Sequence, residues 1–455
     1  INGLAYTVIN SEAAFTGITT GNYVLGSNIA LNTEYKNGYV AYFSGRLNAF
    51  GHELSNAKIT SGNGLTYGAG GLFVHSSTAT TVSIENLGLA GNSGISITGV
   101  SSTANIPTGG IIDVNYGLIS NVYVTANVFS SAQMVGGIAG QNLGGIQYSY
   151  ATSKVGGSNY VGGLVGYQTY TQNQSSSSTG FITSAYYNNP QDGVVGSGTV
   201  VGVGGLVGRL DTYGSGSSTC FSNCSAINGS YAAGKVQGST YIGGLVGQLY
   251  SGSSLATNTY AISGSYASNS LNNVTGNTAG GLVGGITYSG TNSPTVNFVD
   301  NYWNSSSYGG VGVGGGLSTQ PAGISSLTYT QMQSSSNYSN GWFTTYGFGY
   351  VTNVNNNLPV ITAITSINGQ TTIPTPTPVH LTYIGAAGGS WSIASNWQNT
   401  STGTVSTFAP TNANQAYVID VTVNNGYSVN YDTGNVLSLY LPIINNGDRK
   451  STRLN

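Results

Sequence analysis

The residues that could carry out acid–base chemistry are few. Acidic and basic residues make up 4% of the 455 residues. Polysaccharide-cleaving sites need paired carboxylates, or a bound cation beside a basic residue. Asp192, Arg209 and Asp211 flank one glycine-rich segment, and they would form a small polar site if they met on one face. We interpret them instead as solvated loop charges. The remaining aspartates considered, Asp300, Asp420 and Asp432, are also interpreted as loop, surface or turn residues.

Histidine chemistry has equally little support. The segment His52-Glu53-Leu54-Ser55-Asn56 resembles the start of a zinc-peptidase helix, but such a site needs a second histidine at position 56. The surroundings favour a strand, so His52 and Asn56 are interpreted as strand or turn residues. The other two histidines, His75 and His380, are far away in sequence. We therefore predict no catalytic residue, no metal site and no cofactor.

An internal repeat indicates how the chain is built. Five segments share the pattern apolar, Gly, Gly, apolar, apolar, Gly. The second glycines follow one another at steps of 26, 42, 39 and 37 residues, a range typical of stacked structural units. No Lys-Ser/Thr follows the glycines and no regular aspartate accompanies them, which excludes a P-loop and calcium-binding nonapeptides. The repeat glycines are Gly136, Gly137, Gly140, Gly162, Gly163, Gly166, Gly204, Gly205, Gly208, Gly243, Gly244, Gly247, Gly280, Gly281 and Gly284.

A tyrosine precedes each glycine pair and predicts the start of a strand. Each unit is therefore interpreted as strand, turn, strand, with loops of variable length between units. Glycine lets the chain turn sharply and lets layers about 4.8 Å apart approach each other. In each core, the apolar pair is expected to place one side chain inward and one outward. The tyrosines are Tyr123, Tyr150, Tyr186, Tyr187, Tyr231 and Tyr266.

Composition favours stacked strands over the alternatives. The chain has 71 glycines and 33 tyrosines, and weak helix formers fill much of the rest. Its 39% hydrophobic content at regular spacing argues against disorder. A net charge of −2 makes nucleic acid and anionic membranes poor partners. No apolar run reaches the length of a membrane span. The chain starts inside an expected strand, so we interpret it as an internal piece of a longer protein.

The repeat cores, each preceded by Ser-Tyr-Ala or a variant of it, resemble the GLUG repeats of large secreted bacterial proteins of the filamentous haemagglutinin type. The segments 21–29 and 43–59 resemble the part that leads into such arrays. Asn301-Tyr302-Trp303-Asn304, Leu327-Thr328 and Leu358-Pro359-Val360 resemble their closing part. The resemblance implies a right-handed parallel β-helix (β-solenoid) in a secreted or cell-surface protein, an adhesin or autotransporter-like protein of the outer membrane. It also implies a secretion partner.

The sequence predicts six parts. Residues 1–118 form leading β-solenoid rungs, 119–317 the GLUG-repeat β-helix and 318–370 the closing segment. Residues 371–379 form a Pro/Thr linker, since alternating prolines favour extended geometry. Residues 380–447 resemble the truncated start of a second β-solenoid-like module, although Asn412 and Asn414 stand where such modules usually have Asp. The tail 448–455 resembles a translated sequencing adapter and is interpreted as an artefact.

The chain has two cysteines, Cys220 and Cys224, in a Gly/Ser-rich insertion. In an exported protein they would form a small loop-closing disulfide, with free thiols as the alternative. No further ligand nearby supports a metal site.

Two function hypotheses follow. The first is a structural and adhesive scaffold, not an enzyme, that presents loops 167–179, 210–225 and 250–259 to a host or neighbouring cell surface or to glycans. The second is a carbohydrate-active lyase or hydrolase on a β-helix. Outward tyrosines would serve either as contact surface or as ladders that stabilise the solenoid. A clustered acidic cleft would favour the enzyme, and dispersed carboxylates would favour the scaffold.

Overall fold

Parallel strands dominate the computed structural model of the protein. Most of its strands belong to four long parallel sheets, here called sheets 1 to 4. The prediction of an all-β parallel β-helix is confirmed. The structure describes residues 5–36, 38–60, 70–78, 81–90, 93–97, 105–171, 180–197, 202–213, 226–251, 259–272, 278–288, 295–315, 319–351, 354–366, 379–386, 389–390, 394–400, 405–406, 418–423, 429–430 and 443–445.

Sheets 1 and 2 contain the following strands. Sheet 1 consists of Thr7–Ile9, Asn22–Leu25, Arg46–Asn48, Ser83–Glu85, Leu118–Ser120, Gly145–Gln147, Phe181–Thr183, Ile227–Asn228, Thr259–Ser263 and Thr295–Val299. Sheet 2 consists of Ile29–Ala30, Glu34–Tyr35, Glu53–Ser55, Lys58–Thr60, Gly88–Ala90, Gly94–Ile97, Tyr123–Val124, Asn127–Ser130, Tyr150–Ala151, Val155–Gly157, Tyr186–Gly196, Tyr231–Gln237, Tyr266–Asn272, Asn301–Asn304 and Ile324–Leu327.

Sheets 3 and 4 are shorter. Sheet 3 consists of Thr108–Gly109, Gln133–Gly136, Asn159–Gly162, Val203–Gly204, Ile242–Gly243 and Ala279–Gly280. Sheet 4 consists of Phe73–His75, Ile112–Asn115, Ala139–Asn142, Val165–Thr171, Val207–Tyr213, Val246–Ser251 and Val283–Tyr288.

One coil shows how the chain visits the sheets in turn. Gly145 pairs with Leu118 one coil earlier, so the chain returns to sheet 1 in register. The sequence predicted strand, turn, strand for each unit, whereas this coil has five short strand segments. Segments of two to four residues are too short to be recognised as separate strands from the hydrophobic periodicity of the sequence. In chain order they are Leu118–Ser120, Tyr123–Val124, Asn127–Ser130, Gln133–Gly136 and Ala139–Asn142.

The Ser-Tyr-Ala triplets join neighbouring coils. The Oγ atoms of Ser149, Ser230 and Ser265 each accept a backbone N–H from the preceding coil, at 3.0–3.2 Å. Each hydroxyl also donates to the carbonyl two residues earlier, at 2.7–2.9 Å. The alanines that follow the tyrosines lie in the core, while the tyrosines face outward and stack. The triplet therefore closes a corner, stacks a ring and fills the core.

The glycine pairs exist because neighbouring coils leave no room for a Cβ atom. A Cβ on Gly137 would lie 2.3 Å from the Gly163 carbonyl oxygen and 2.8 Å from the Cβ of Ala151. At Gly205 the same distances, to the Gly244 oxygen and the Ala232 Cβ, are 2.1 and 2.8 Å. The second glycine thus packs against the alanine of the next Ser-Tyr-Ala triplet in three of the five cores, and against the rings of Tyr187 and Trp303 at Gly163 and Gly281. The two motifs depend on each other.

The expected orientation of the apolar pair is wrong. Leu164 and Val165 are both fully buried, and so are Leu206 and Val207. The pair spans the bend between sheets 3 and 4, where strict strand alternation is interrupted. Both side chains therefore enter the core.

The repeat extends further towards the N-terminus than its glycine pattern predicts. Gly109 pairs with Gly136 and Ile112 pairs with Ala139, so residues 109–113 form a sixth core. Phe73 pairs with Ile112, which adds a seventh core at residues 70–74. Below, "leading coils" denotes residues 5–117 and "repeat coils" denotes residues 118–299.

Asp113 occupies the position of the third glycine in the sixth core. Its carboxylate is fully buried and accepts backbone N–H groups from Gly70 at 2.9 Å and Gly109 at 3.2 Å. Burial raises the pKa of Asp113 to about 8, although these N–H groups act in the opposite direction. Because Gly70 belongs to the preceding coil, this acid joins two of the leading coils.

The chain folds into two compact units. The first contains Ile1–Gly349 and Pro359–Gln370, and the second contains Tyr350–Leu358 and Thr371–Asn455. The first unit also holds the helices Glu12–Thr16, Tyr329–Met332, Trp342–Tyr346 and Thr362–Ser366, the 3-10 turn Ser335–Asn337, and an antiparallel pair, Phe348–Gly349 with Val360–Ile361. Thr328 and Gln331 form a capping box at the start of Tyr329–Met332.

The second unit is β-rich, as predicted for a second module. One of its sheets consists of Trp397–Asn399, Val379–Tyr383, Val418–Val423 and Ile443–Asn445, and another of Gly389–Ser390 and Val429–Asn430. Its 3-10 turns are Asn355–Asn357 and Ala394–Asn396. Residues 371–378 of the predicted linker and the whole predicted adapter tail lie outside the described residues.

Candidate functional site

The outer face of sheet 4 carries one column of side chains through eight successive coils. Strand register aligns its members, and Phe43 and Leu210 of the neighbouring column are fully buried in the core. The column therefore lies on the face of the sheet that points away from the core, although Val114, Tyr167 and Gln248 on this face are themselves buried. Its members are Tyr42, His75, Val114, Gln141, Tyr167, Arg209, Gln248 and Gly285.

Arg209 is the centre of a cluster within this column. Its Nη2 atom lies 2.9 Å from Oδ2 of Asp211, and its Nη1 atom donates to the Tyr160 hydroxyl at 2.9 Å. The Tyr167 hydroxyl donates to the same Oδ2 atom at 2.6 Å. The guanidinium carbon lies 3.9 Å from the ring centre of Tyr250, which is within cation–π range.

Burial determines the chemistry of this cluster. The Asp211 side chain is fully buried, and 13% of the Arg209 side chain is exposed. Burial, the largest single effect, acts to lower the pKa of Arg209, but the Asp211 carboxylate together with Tyr160 and Tyr167 outweighs it, so the pKa of Arg209 is raised. The Asp211 carboxylate is bound by a guanidinium and a phenol and is closed to solvent, so it is poorly placed to act on a substrate. The cluster binds three successive coils together; the interpretation of Arg209 and Asp211 as solvated loop charges is wrong.

The cluster lies where the long insertions leave the β-helix. The sheet 4 strands Val165–Thr171, Val207–Tyr213 and Val246–Ser251 pair in register along their length. The chain returns to sheet 1 only at Phe181–Thr183, Ile227–Asn228 and Thr259–Ser263. In the first repeat coil the same connection is Leu143-Gly144. The insertions 172–180, 214–226 and 252–258 therefore follow the C-terminal ends of three adjacent strands of sheet 4.

The other predicted polar residues lie elsewhere. Asp192 belongs to sheet 2 and forms an exposed ion pair with Lys154 at 3.2 Å, so it does not join Arg209 and Asp211. Asp300 occupies a corner with φ of 54°, and its carbonyl accepts the Trp342 indole N–H at 2.9 Å. Asp420 is in a strand of the second unit. Asp432 lies outside the described residues.

The histidines do not come together. His52 Nδ1 lies 3.1 Å from Oδ1 of Asn28, in a segment that is strand rather than helix. His75 packs between Tyr42 and Tyr116, and burial lowers its pKa. His380 is in a strand of the second unit. Among the described residues, no three His, Cys, Asp or Glu side chains group as metal ligands.

Three further carboxylates in the described part of the β-helix, those of Glu12, Glu34 and Glu53, each have a separate partner. Glu12 accepts the backbone N–H groups of Asn32 and Thr33. Burial, the largest single effect, acts to raise the pKa of Glu12, but the hydrogen bonds from Asn32 and Thr33 together outweigh it and lower the pKa. Glu34 accepts the Thr60 hydroxyl, and Glu53 accepts the Tyr123 hydroxyl. The predicted disulfide residues, Cys220 and Cys224, lie outside the described residues.

A second aromatic feature is the tyrosine ladder of sheet 2. Tyr123, Tyr150, Tyr186, Tyr231 and Tyr266 stack with ring centres 4.8–5.5 Å apart and planes within 12°. Four of the five are 0–8% exposed, and Tyr186 is half-buried. Burial raises the pKa of Tyr186 and Tyr231 well above the ordinary value.

The closing segment covers one end of this ladder. Phe348 lies 5.8 Å from the Tyr266 ring and 6.3 Å from the Tyr231 ring, and Trp342 stacks on Phe348 at 4.4 Å. The Tyr266 hydroxyl donates to the Pro359 carbonyl. Of the two uses left open for outward tyrosines, this row therefore serves as a stabilising ladder.

Sequence reasoning missed Tyr160, Tyr167 and Tyr250 as partners of Arg209. The one available signal was the register of the cores: Tyr160 and Tyr167 lie on either side of one glycine core, and Arg209 follows the next. The contact of Tyr250 can be predicted only if the sheet 4 strand is known to continue after the glycine core.

Comparisons with known proteins add little to this geometry. No protein-family model matches the chain, and no curated protein matches it. A solved structure from Bacteroides ovatus, described as the crystal structure of a "putative immunoglobulin A1 protease", is 16% identical, with a TM-score of 0.44 over 78% of this chain and 91% of that chain. A likeness at this level supports no functional inference. Within the described residues, no helix has the length and apolarity needed to cross a lipid bilayer.

Proposed function

We propose that this chain is a structural and adhesive scaffold of an exported bacterial surface protein of the GLUG-repeat type. In this proposal the β-helix presents the insertions after sheet 4 to a host or neighbouring cell surface or to glycans. The proposal assigns binding to the insertions and none to the glycine cores.

One observation carries the proposal. Three successive coils have their long insertion at the same connection, after a sheet 4 strand that is longer than in the coils before. The ion pair of Arg209 and Asp211 and the rings of Tyr167 and Tyr250 hold the bases of these insertions together. Binding segments on loops over a rigid scaffold are a common functional arrangement.

The dispersed carboxylates support a scaffold over an enzyme. Retaining and inverting glycosidases need two carboxyl groups about 5–9.5 Å apart across one substrate bond. Among the described residues, Asp211 bonds to Arg209 and Asp192 bonds to Lys154, on different sheets.

Replacement of the insertions tests the proposal. Residues 172–179, 214–225 and 252–258 would each be replaced by a Gly/Ser sequence of equal length, which keeps the paired strands and Asp211. Binding of wild-type and variant proteins to cultured epithelial cells and to bacterial cells would be measured. We expect the variant to lose binding without loss of thermal stability, because its core is unchanged.

The matched control replaces residues 61–69, which follow a sheet 2 strand, in the same way. We expect this control to bind as wild type does. Equal binding by both variants would refute the proposal. Release of reducing ends from polysaccharides by the wild-type protein would favour the enzyme hypothesis instead.

A further inference from the structure

We propose that Tyr42, His75 and Tyr116 form a stacking platform for a neutral polysaccharide. This site lies on the leading coils and does not include the insertions, so it goes beyond the function proposed above. Its ligand class is an uncharged chain of hexopyranose units.

The three rings form one row across three consecutive coils. The rings of Tyr42 and His75 stack with centres 5.8 Å apart and planes 17° apart. His75 and Tyr116 follow at 5.2 Å with a tilt of 46°. The Ser76 hydroxyl accepts the Tyr116 backbone N–H at 2.8 Å, which fixes the backbone at the end of the row.

This row is open where the tyrosine ladder is closed. Tyr42 is 50% exposed, and His75 and Tyr116 are half-buried. A fold that stacks aromatic rings only for stability gains most by burying them, as the ladder does with Tyr231 and Tyr266. An ordered aromatic row that is partly exposed is instead suited to a ligand with an apolar ring face and polar edges. Pyranose rings have this character, because their axial C–H groups form an apolar face.

Charge favours a neutral ligand over an anionic one. Tyr42 and Val114 are uncharged, and burial lowers the pKa of His75 between them, so its imidazole is neutral at neutral pH. Further along the column, Arg209 is compensated by Asp211. Of its members in the described coils, the column therefore has no net charge with which to bind a uronate or sulfate.

The spacing suits an extended chain rather than a single sugar. Successive coils are about 4.8 Å apart along the β-helix. This distance is close to the length of one hexose ring, so neighbouring rings of the platform can each contact a neighbouring sugar. The half-exposed amide of Gln141, in the next coil but one after His75, continues the column as a hydrogen-bonding group for hydroxyls.

Affinity electrophoresis tests this site. Full-length wild-type, Tyr42→Ala and Tyr116→Ala proteins would be run in native gels containing hydroxyethylcellulose, xyloglucan or galactomannan, with polygalacturonate as the anionic comparison. We expect retardation of the wild type in at least one neutral gel, and about tenfold weaker binding by Tyr42→Ala, equivalent to about 1.4 kcal/mol. Tyr42→Phe should bind as wild type does, because stacking needs the ring and not the hydroxyl.

The matched control is Phe129→Ala, which removes a 45% exposed ring from sheet 2, away from the row. It should not change retardation, and the melting temperature of each variant would show that it is folded. No retardation of the wild type in the neutral gels, retardation by polygalacturonate alone, or unchanged retardation of Tyr42→Ala would each overturn the proposal. The insertion-replaced variant should still be retarded. That result keeps this test separate from the cell-binding test.

Discussion

The leading coils and the repeat coils use aromatic side chains in opposite ways. In the repeat coils, five stacked tyrosines are largely closed to solvent, and Phe348 and Trp342 of the same chain cover one end. In the leading coils, Tyr42 stacks on His75 and is 50% exposed, and Tyr116 contacts His75 at a tilt of 46° and is half-buried. The same spacing between coils thus produces a stabilising ladder in one region and an accessible row in the other. The two regions differ in the burial of their rings: four of the five ladder tyrosines are 0–8% exposed, whereas Tyr42 is 50% exposed.

The largest difference in the free energy of unfolding should appear when one aromatic ring is removed from each region. Tyr231→Ala should lower the free energy of unfolding by about 4 kcal/mol, because the 2%-exposed ring contacts Tyr186, Tyr266 and Phe348. Tyr42→Ala should lower it by less than about 0.5 kcal/mol. Urea unfolding followed by circular dichroism measures both. Similar losses for the two variants would contradict the distinction between a closed ladder and an open row.

Ion pairs provide a second contrast within the repeat coils. Arg209→Ala should cost about 3 kcal/mol, because it leaves the buried Asp211 carboxylate without its cation. Lys154→Ala removes an ion pair whose two side chains are 50% and 54% exposed, and it should cost at most about 0.5 kcal/mol. The same urea titrations compare the two variants. If Lys154→Ala costs as much as Arg209→Ala, burial is not what strengthens the Arg209 cluster.

The leading coils should also respond to pH through Asp113. Its pKa in the fold, about 8, is above the ordinary value of 3.8, so folding favours the protonated acid. This contribution is complete below about pH 4 and is lost as the pH rises towards 8. Between pH 5 and pH 7 the free energy of unfolding should fall by up to about 1.4 kcal/mol per pH unit.

The matched variant for this prediction is Asp113→Asn, which cannot ionise. The difference in free energy of unfolding between wild type and variant should change across this pH range, while the effects of His75 and Glu12 cancel. A constant difference would show that the Asp113 carboxyl does not titrate between pH 5 and pH 7. Hydrogen exchange should place the pH-dependent change in the amides near Gly70 and Gly109, which bond to this carboxyl.

The sequence predicted the stacking of coils but not its full extent. The Gly-Gly cores and Ser-Tyr-Ala triplets predicted stacked strands correctly, because both patterns arise from contacts between adjacent coils. The cores at residues 70–74 and 109–113 do not match the sequence pattern, because Val74 and Asp113 stand in place of the third glycine. A position that usually demands glycine accepted an acid once backbone N–H groups surrounded it.

The candidate site was less accessible to prediction. Arg209 and Asp211 were singled out, but Asp192 was grouped with them although it belongs to another sheet. Which side chains meet across coils depends on register, and insertions of different length hide the register in the sequence. Tyr250 follows Arg209 by 41 positions yet stacks on its guanidinium.

At the connection from sheet 4 to sheet 1, the length of the loop does not change the register in which neighbouring coils pair. It is the dipeptide Leu143-Gly144 in one coil and residues 214–226 in another, and Ile182 still pairs with Ile227 after the longer one. Coding-sequence insertions and deletions at this point can therefore change the presented surface without refolding the support. Natural variation in such an array should concentrate there, and foreign peptides grafted at this connection would be displayed in parallel, one coil apart.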